Sequence, residues 1–311
     1  MTALVAADWL PPDSQVPVSA RAANVAPDKL GMKAGQVWPY DIAMHALLIS
    51  SSNDAAYALA ELVSGSVEDF GPTMQQAAQQ MGLRDHPVFR DPAGLDGSEG
   101  VDGGNLMSAW DVAVTARDLM ANPYLAGIVG ETTFRFTGPD GIVYELSSHN
   151  SAFLRSYADA VGVKTGFTDP AGVCVAAEAV RGGRHLLAVV MNGEYPDRTA
   201  EMLLDEGFAT DPNAEPLQDP LLPPVSEPHP AAPSAKSNRP RGTAAPQTAK
   251  GSVHGSRLVA ARGPAKSTSP MPPALAAASL ATVAACAVTL VSRGRRRRRR
   301  AVGTHYRKHA G

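Results

Sequence analysis

The chain has 311 residues, with 28 Lys+Arg against 30 Asp+Glu, two cysteines and 26 prolines, which is enough for one or two domains with a sizeable core. The near-neutral total hides a split: residues 1–210 hold 12 Lys+Arg and 26 Asp+Glu, while residues 211–311 hold 16 and 4. An acidic body repels a phosphate backbone, so nucleic acid is excluded as its partner, and two distant cysteines exclude a disulfide framework or a cysteine-built metal site.

In chain order, residues 1–9 place Ala3, Leu4, Val5 and Trp9 at apolar helical positions, and the turn "LPPDSQ" follows. "YDIAMHALLIS" predicts a helix over 40–50, "SSN" a polar break, and "AAYALAELV" a second helix starting near Asp54. A helix over 67–81 leads into the loop "GLRDHPVFRDPAGLDGSEG", where Asp91 and Asp96 read as turn residues. Ser108 caps a helix over "AWDVAVTARDLMAN". The pattern then turns to strands. "TTFRFTGPDGIVYEL" is a hairpin around Pro139-Asp140-Gly141, and residues 159–165, 173–180 and 184–192 are three more strands, the last two joined at Gly182-Gly183. A helix from Asp197 to Gly207 closes the domain. Helices first, then an antiparallel sheet, then a helix is an α+β layer pattern rather than a βαβ alternation.

Residues 211–270 contain 12 prolines and little apolar content, which predicts a disordered linker. Residues 271–292 include the uncharged run "ALAAASLATVAACAVTLVS" and predict a transmembrane helix. The arginine-rich tail, 293–311, is then cytoplasmic and in contact with membrane lipid, with the body of the protein outside the cell membrane. The competing reading is a buried Ala-rich helix beside a nucleic-acid-binding tail.

Two short motifs carry the chemistry. In "VGVKTGFTDPAG", Lys164 offers a charge and Thr165 a hydroxyl, and Gly166 lets a ligand approach the backbone closely. Together they suit a carboxylate. Alone, the tripeptide is an ordinary strand start. Ser51-Ser52-Asn53, 113 residues earlier, sits in a sharp break between helices, where a hydroxyl and an amide can relay a proton and hold a peptide group. Alone, Ser51 is an ordinary helix cap.

The pair in this order resembles the Ser-Asp-Asn and Lys-Thr-Gly motifs of penicillin-binding proteins and class A β-lactamases, with Ser52 in place of the aspartate. The blocks "LLISSSNDAAYALAE", "FRDPAGLDGSEG" and "HNSAFLRSYADAVGVKTGFTDPAG" make residues 1–210 similar to the D-alanyl-D-alanine carboxypeptidase family. The resemblance implies a β-lactamase/DD-peptidase-like α+β sandwich with no metal or organic cofactor. It implies trimming of the terminal D-Ala from peptidoglycan stem peptides through a serine acyl-enzyme, with β-lactams as suicide analogues. Ser51 would pass a proton to the leaving D-Ala, and Asn53 would hold the substrate's peptide carbonyl or side chain. Lys164 and Thr165 would hold the terminal carboxylate beside Gly166, and the Phe167 N–H would form half of an oxyanion hole. His149, just before the strand, would at most help shape the site.

The family's nucleophile and base lie in Ser-x-x-Lys, and no serine ahead of Ser51 is followed three residues later by lysine. "MTALVAADWL" resembles the stretch that follows that motif. The expectation is a chain that starts just past its nucleophile and lacks its signal segment and N-terminal strands. Arg184–Met191 would then be an unpaired sheet edge, with no activity and no covalent β-lactam adduct. The alternatives are a non-catalytic peptidoglycan-binding pseudoenzyme and a β-lactamase, the latter without an "ExxLN"-type deacylating segment.

Overall fold

A computed structural model describes residues 1–97, 100–101, 103–213 and 222–226. The elements run α1 (Thr2–Trp9), β1 (Gln15–Pro17), α2 (Ala20–Asn24), β2 (Val37–Pro39), α3 (Tyr40–Ile49), α4 (Asn53–Ser64), α5 (Val67–Gln80), α6 (Ala109–Ala121), α7 (Pro123–Val129), β3 (Thr133–Thr137), β4 (Val143–Ser147), α8 (Ser151–Ser156), β5 (Ala160–Thr168), β6 (Gly172–Arg181), β7 (Arg184–Val190) and α9 (Pro196–Ala209).

The helical half forms around α4. Ala55, Ala56, Ala58, Leu59 and Ala60 are wholly buried in it, and such small side chains let α1, α2, α3 and α5 approach closely. Gly65 ends α4 at φ 84°, a left-handed stop that suits glycine. Asn122 both closes α6 and, through its side chain, caps α7, whose first residue is Pro123.

The sheet is antiparallel in the order β5-β6-β7. Its strands alternate, so one chain serves two layers. On β6, Val175, Ala177 and Ala179 pack with Phe153 of α8 and with Ala200 and Leu204 of α9. Ala176 faces the helical core, with Leu187 and Val189 of β7. The hairpin β3–β4 is docked by rings: Trp38 meets Phe136 and Tyr144 edge-on at 6.3 and 5.6 Å, and Phe134 stacks on His45 at 3.8 Å. This docking delivers His149 to the end of α3, where its N–H bonds Ile49 O at 3.1 Å.

Two buried carboxylates organise loops. Asp54, wholly buried at the start of α4, accepts the N–H groups of Leu30, Gly31, Met32 and Ala55 at 2.8–3.0 Å. Asp91 accepts Tyr57 Oη–H at 2.6 Å and the N–H groups of Ala93, Leu95 and Val101. Burial, reinforced by that bond, raises the Tyr57 phenol pKa. Asp91 is thus the hub of its loop rather than a simple turn residue.

The α+β architecture stands, but the transmembrane helix does not belong to it. No helix among the described residues is long and apolar enough to cross a membrane. The longest, α5 and α9, have 14 residues each, about 21 Å at 1.5 Å per residue against a hydrocarbon core of about 30 Å. The span expected over 271–292 and the tail over 293–311 lie outside the described residues, as does the linker apart from 211–213 and 222–226. Among the described residues no strand pairs with the outer edge of β7. Removing the Asp54 acceptor, in Asp54→Ala, leaves three loop N–H groups without their partner. We expect a loss of about 3 kcal/mol, read as a lowered urea midpoint with an unchanged slope.

Candidate active site

The site is built at the seam between the helices and the sheet. After α3 the backbone reverses at Ser51, which has φ 55°. Few residues other than glycine adopt that conformation, and it persists only where its surroundings impose it. Ser52 N–H bonds Ala46 O at 3.0 Å, and Ser50 Oγ bonds both Ala46 O and Ser52 Oγ. Asn53 N–H bonds Asp28 O at 2.8 Å, and Asn53 Nδ2 donates to Ala26 O at 3.0 Å. The residue preceding α4 is Ser52, whose side chain makes no capping bond. Ser51 is therefore not the helix cap.

Its hydroxyl instead accepts from Lys164 Nζ at 2.9 Å, across 113 residues of sequence. Lys164 lies on β5, the other edge of the sheet, opposite Ala176. Its second bond goes to Thr165 O at 2.8 Å. Both acceptors are neutral, and among the described residues this ammonium makes no ion pair. Desolvation pulls its pKa down to about 8. Beyond it β5 opens outward. Thr165 is half-buried, and Gly166 and Phe167 are exposed, Phe167 at 65%. A Cβ placed on Gly166 would meet nothing within 4 Å, and among the described residues no strand pairs with the outer edge of β5.

The structure thus brings Ser51, Asn53 and Lys164–Phe167 to one seam. Asn53 is 7% exposed and spends one amide hydrogen on Ala26 O, so it also holds the turn that presents Ser51. His149 contributes more than its sequence position suggested. Desolvation and the positive field of Lys164 lower its pKa, and Asp28 opposes them, which places the imidazole among these charges. Next to it Asn150 is buried, with neither side-chain polar atom bonded among the described residues. No sequence signal marked Asp28. Asp54 carried one, an acidic residue in the first turn of a predicted helix.

An ammonium, a hydroxyl in contact with it and an edge strand are parts that an acyl-transfer site combines with a nucleophile and its base. The sequence profile of D-alanyl-D-alanine carboxypeptidase matches residues 1–195, and the chain belongs to this family of serine peptidases. It is 32% identical over 221 residues to the D-alanyl-D-alanine carboxypeptidase DacB2 of Mycobacterium tuberculosis, covering 69% of this chain and 73% of that protein. It is 29% identical over 198 residues to DacF of Bacillus subtilis, covering 63% of this chain but only about half (49%) of that protein. The crystal structure of a D-alanyl-D-alanine carboxypeptidase from Mycobacterium tuberculosis H37Rv superposes with a TM-score of 0.62 at 32% identity, covering 68% and 80% of the two chains.

The Lys164 ammonium also gives a pH signature. Between about 8 and 10.5 the unfolded chain binds this proton and the folded chain does not, so the contribution of Lys164 to stability rises with pH across that window. The stability advantage of Lys164→Met over the parent, measured by urea unfolding, is expected to shrink between pH 8 and 10.5. A constant difference would contradict the desolvated ammonium.

Proposed function

We propose that this seam binds the terminal D-alanine carboxylate of a peptidoglycan stem peptide and relays a proton during its removal. The observation that carries the reading is the 2.9 Å bond from Lys164 Nζ to Ser51 Oγ, made beside an open Gly166. The carboxylate would take the ammonium, whose acceptors among the described residues are neutral, together with the Thr165 hydroxyl. The Phe167 N–H would face the scissile carbonyl oxygen. Ser51, in contact with Lys164, would deliver the proton that the departing D-alanine nitrogen needs. Asn53 would offer its remaining amide hydrogen to the peptide. A β-lactam carboxylate would use the same anchor.

Cleavage also needs a nucleophilic serine and its base. The family's Ser-x-x-Lys is not found ahead of Ser51. The role we assign to these 311 residues is therefore recognition and proton transfer, and bond breaking requires a serine–lysine pair from outside them.

Titration of the purified chain with diacetyl-L-Lys-D-Ala-D-Ala, followed by NMR, tests the anchor. Binding should weaken roughly tenfold or more in Lys164→Met, and equally when the peptide carries a terminal carboxamide. Equal binding of acid and carboxamide would refute the anchor. Release of D-alanine by this chain alone would refute the need for an outside nucleophile, and no covalent adduct with a β-lactam is expected.

A further inference from the structure

The stretch after α9 was expected to be linker, yet residues 222–226, Leu-Pro-Pro-Val-Ser, lie on the domain surface against α6. The seat is built from two consecutive residues of that helix. The Arg117 guanidinium donates to Pro223 O and to Pro224 O, the latter at 3.4 Å. Asp118 accepts Ser226 Oγ–H at 2.6 Å and Ser226 N–H at 3.3 Å through Oδ2. Its other oxygen accepts Arg117 Nε–H at 2.7 Å. Adjacent residues on a helix do not normally face each other, so the guanidinium has folded back along its neighbour. Asp118 is 4% exposed. The Pro223 ring lies over Gly82, where an added Cβ would stand 3.5 Å from it.

The chemistry of the two partners is complementary in order. Consecutive prolines lack N–H groups, so Pro-Pro presents acceptors only. Arginine has five donors and no acceptor, in a planar fork that suits two neighbouring carbonyls. Two residues on, Ser226 supplies two donors, and they meet a carboxylate that only accepts. A buried carboxylate is costly without donors; Arg117 serves one oxygen of Asp118 and Ser226 the other.

We infer that the Arg117–Asp118 pair is a docking site for a Pro-Pro-x-Ser segment, occupied by residues 222–226 of the same chain. The folded body then reaches at least to Ser226, beyond α9. None of the partners of residues 222–226 is Ser51, Asn53, His149 or a residue of 164–167, so the seat shares no hydrogen-bonding residue with the candidate active site.

Limited digestion of the full chain with elastase, read by intact mass, tests this. The long-lived fragment of the parent should retain residues 222–226. In Ser226→Ala and Arg117→Gln it should be cut back toward residue 213 about fivefold to tenfold faster, as expected for the loss of one or two hydrogen bonds. Ser226→Ala removes one hydroxyl at the surface and cannot by itself unfold the domain, and Lys164-dependent binding of diacetyl-L-Lys-D-Ala-D-Ala should stay unchanged in it. Equal trimming of parent and variants would overturn the docking. Protection that appears only in a dimer, by light scattering, would overturn the assignment to the same chain.

Discussion

Lys164 holds a positive charge at the seam of two layers, and among the described residues nothing negative is bonded to it. Burial has lowered its pKa from 10.5 to about 8, so folding works against this charge rather than with it. Much of the surrounding structure keeps the arrangement in place. The sheet presents Lys164 on an outer strand, and the α3–α4 break brings Ser51 Oγ within 2.9 Å. The break holds serine in a left-handed conformation that costs on the order of 1–3 kcal/mol. The bonds from Ser50, Ser52 and Asn53 to the neighbouring backbone offset that cost. An incoming carboxylate would meet a charge already stripped of part of its water, which is where a charge-assisted bond is strongest.

The same economy of polar contacts runs through the loops around the seam. Asp54 ties residues 30–32 to the start of α4, and Asp91 ties its own loop to Tyr57 of α4. Both carboxylates are wholly buried, and both are satisfied mainly by backbone N–H groups. Acidic residues in this domain are therefore partly internal fittings, and its excess of Asp and Glu overstates its surface charge. Aromatic packing does the equivalent work for the hairpin, where Trp38, Phe134, Phe136 and Tyr144 set the position from which His149 reaches the seam.

Much of this was legible in the sequence. The long elements α3, α4, α5, α6 and α9 and the strands β3–β7 carry clear periodicity and turn signals. The two halves of the seam are short motifs whose joint order is distinctive. The shorter pieces were not legible. β1 and β2 have three residues each, too few for alternation to register. α7 shares Asn122 with the end of α6, so a seven-residue helix hides behind another's cap. α2 and α8 are single turns held by tertiary packing. Asp54 was marked only as a first-turn acid of α4, and its hold on residues 30–32, like that of Asp91 on its loop, was hidden because most of the donors are backbone groups, which no side-chain pattern marks. The C-terminal run, read as a membrane helix from its hydropathy and the arginines after it, lies outside the described residues, and no helix among those is long and apolar enough to cross a membrane.

β5 and β7 are the two margins of one sheet, and backbone chemistry alone would let either receive an extended peptide. They differ in charge. β7 begins at Arg184, whose guanidinium is turned onto the carbonyls of Gly207, Phe208 and Thr210 at the end of α9. β5 carries its cation in the middle of the strand, bonded among the described residues only to neutral acceptors. A peptide that continued past Lys164 would cover that charge with uncharged backbone and leave it still more poorly solvated. A peptide that stopped there would bring its own terminal anion. Under the proposed function, this lysine would act as a gauge of where a chain ends, favouring trimming from the tip over cutting within.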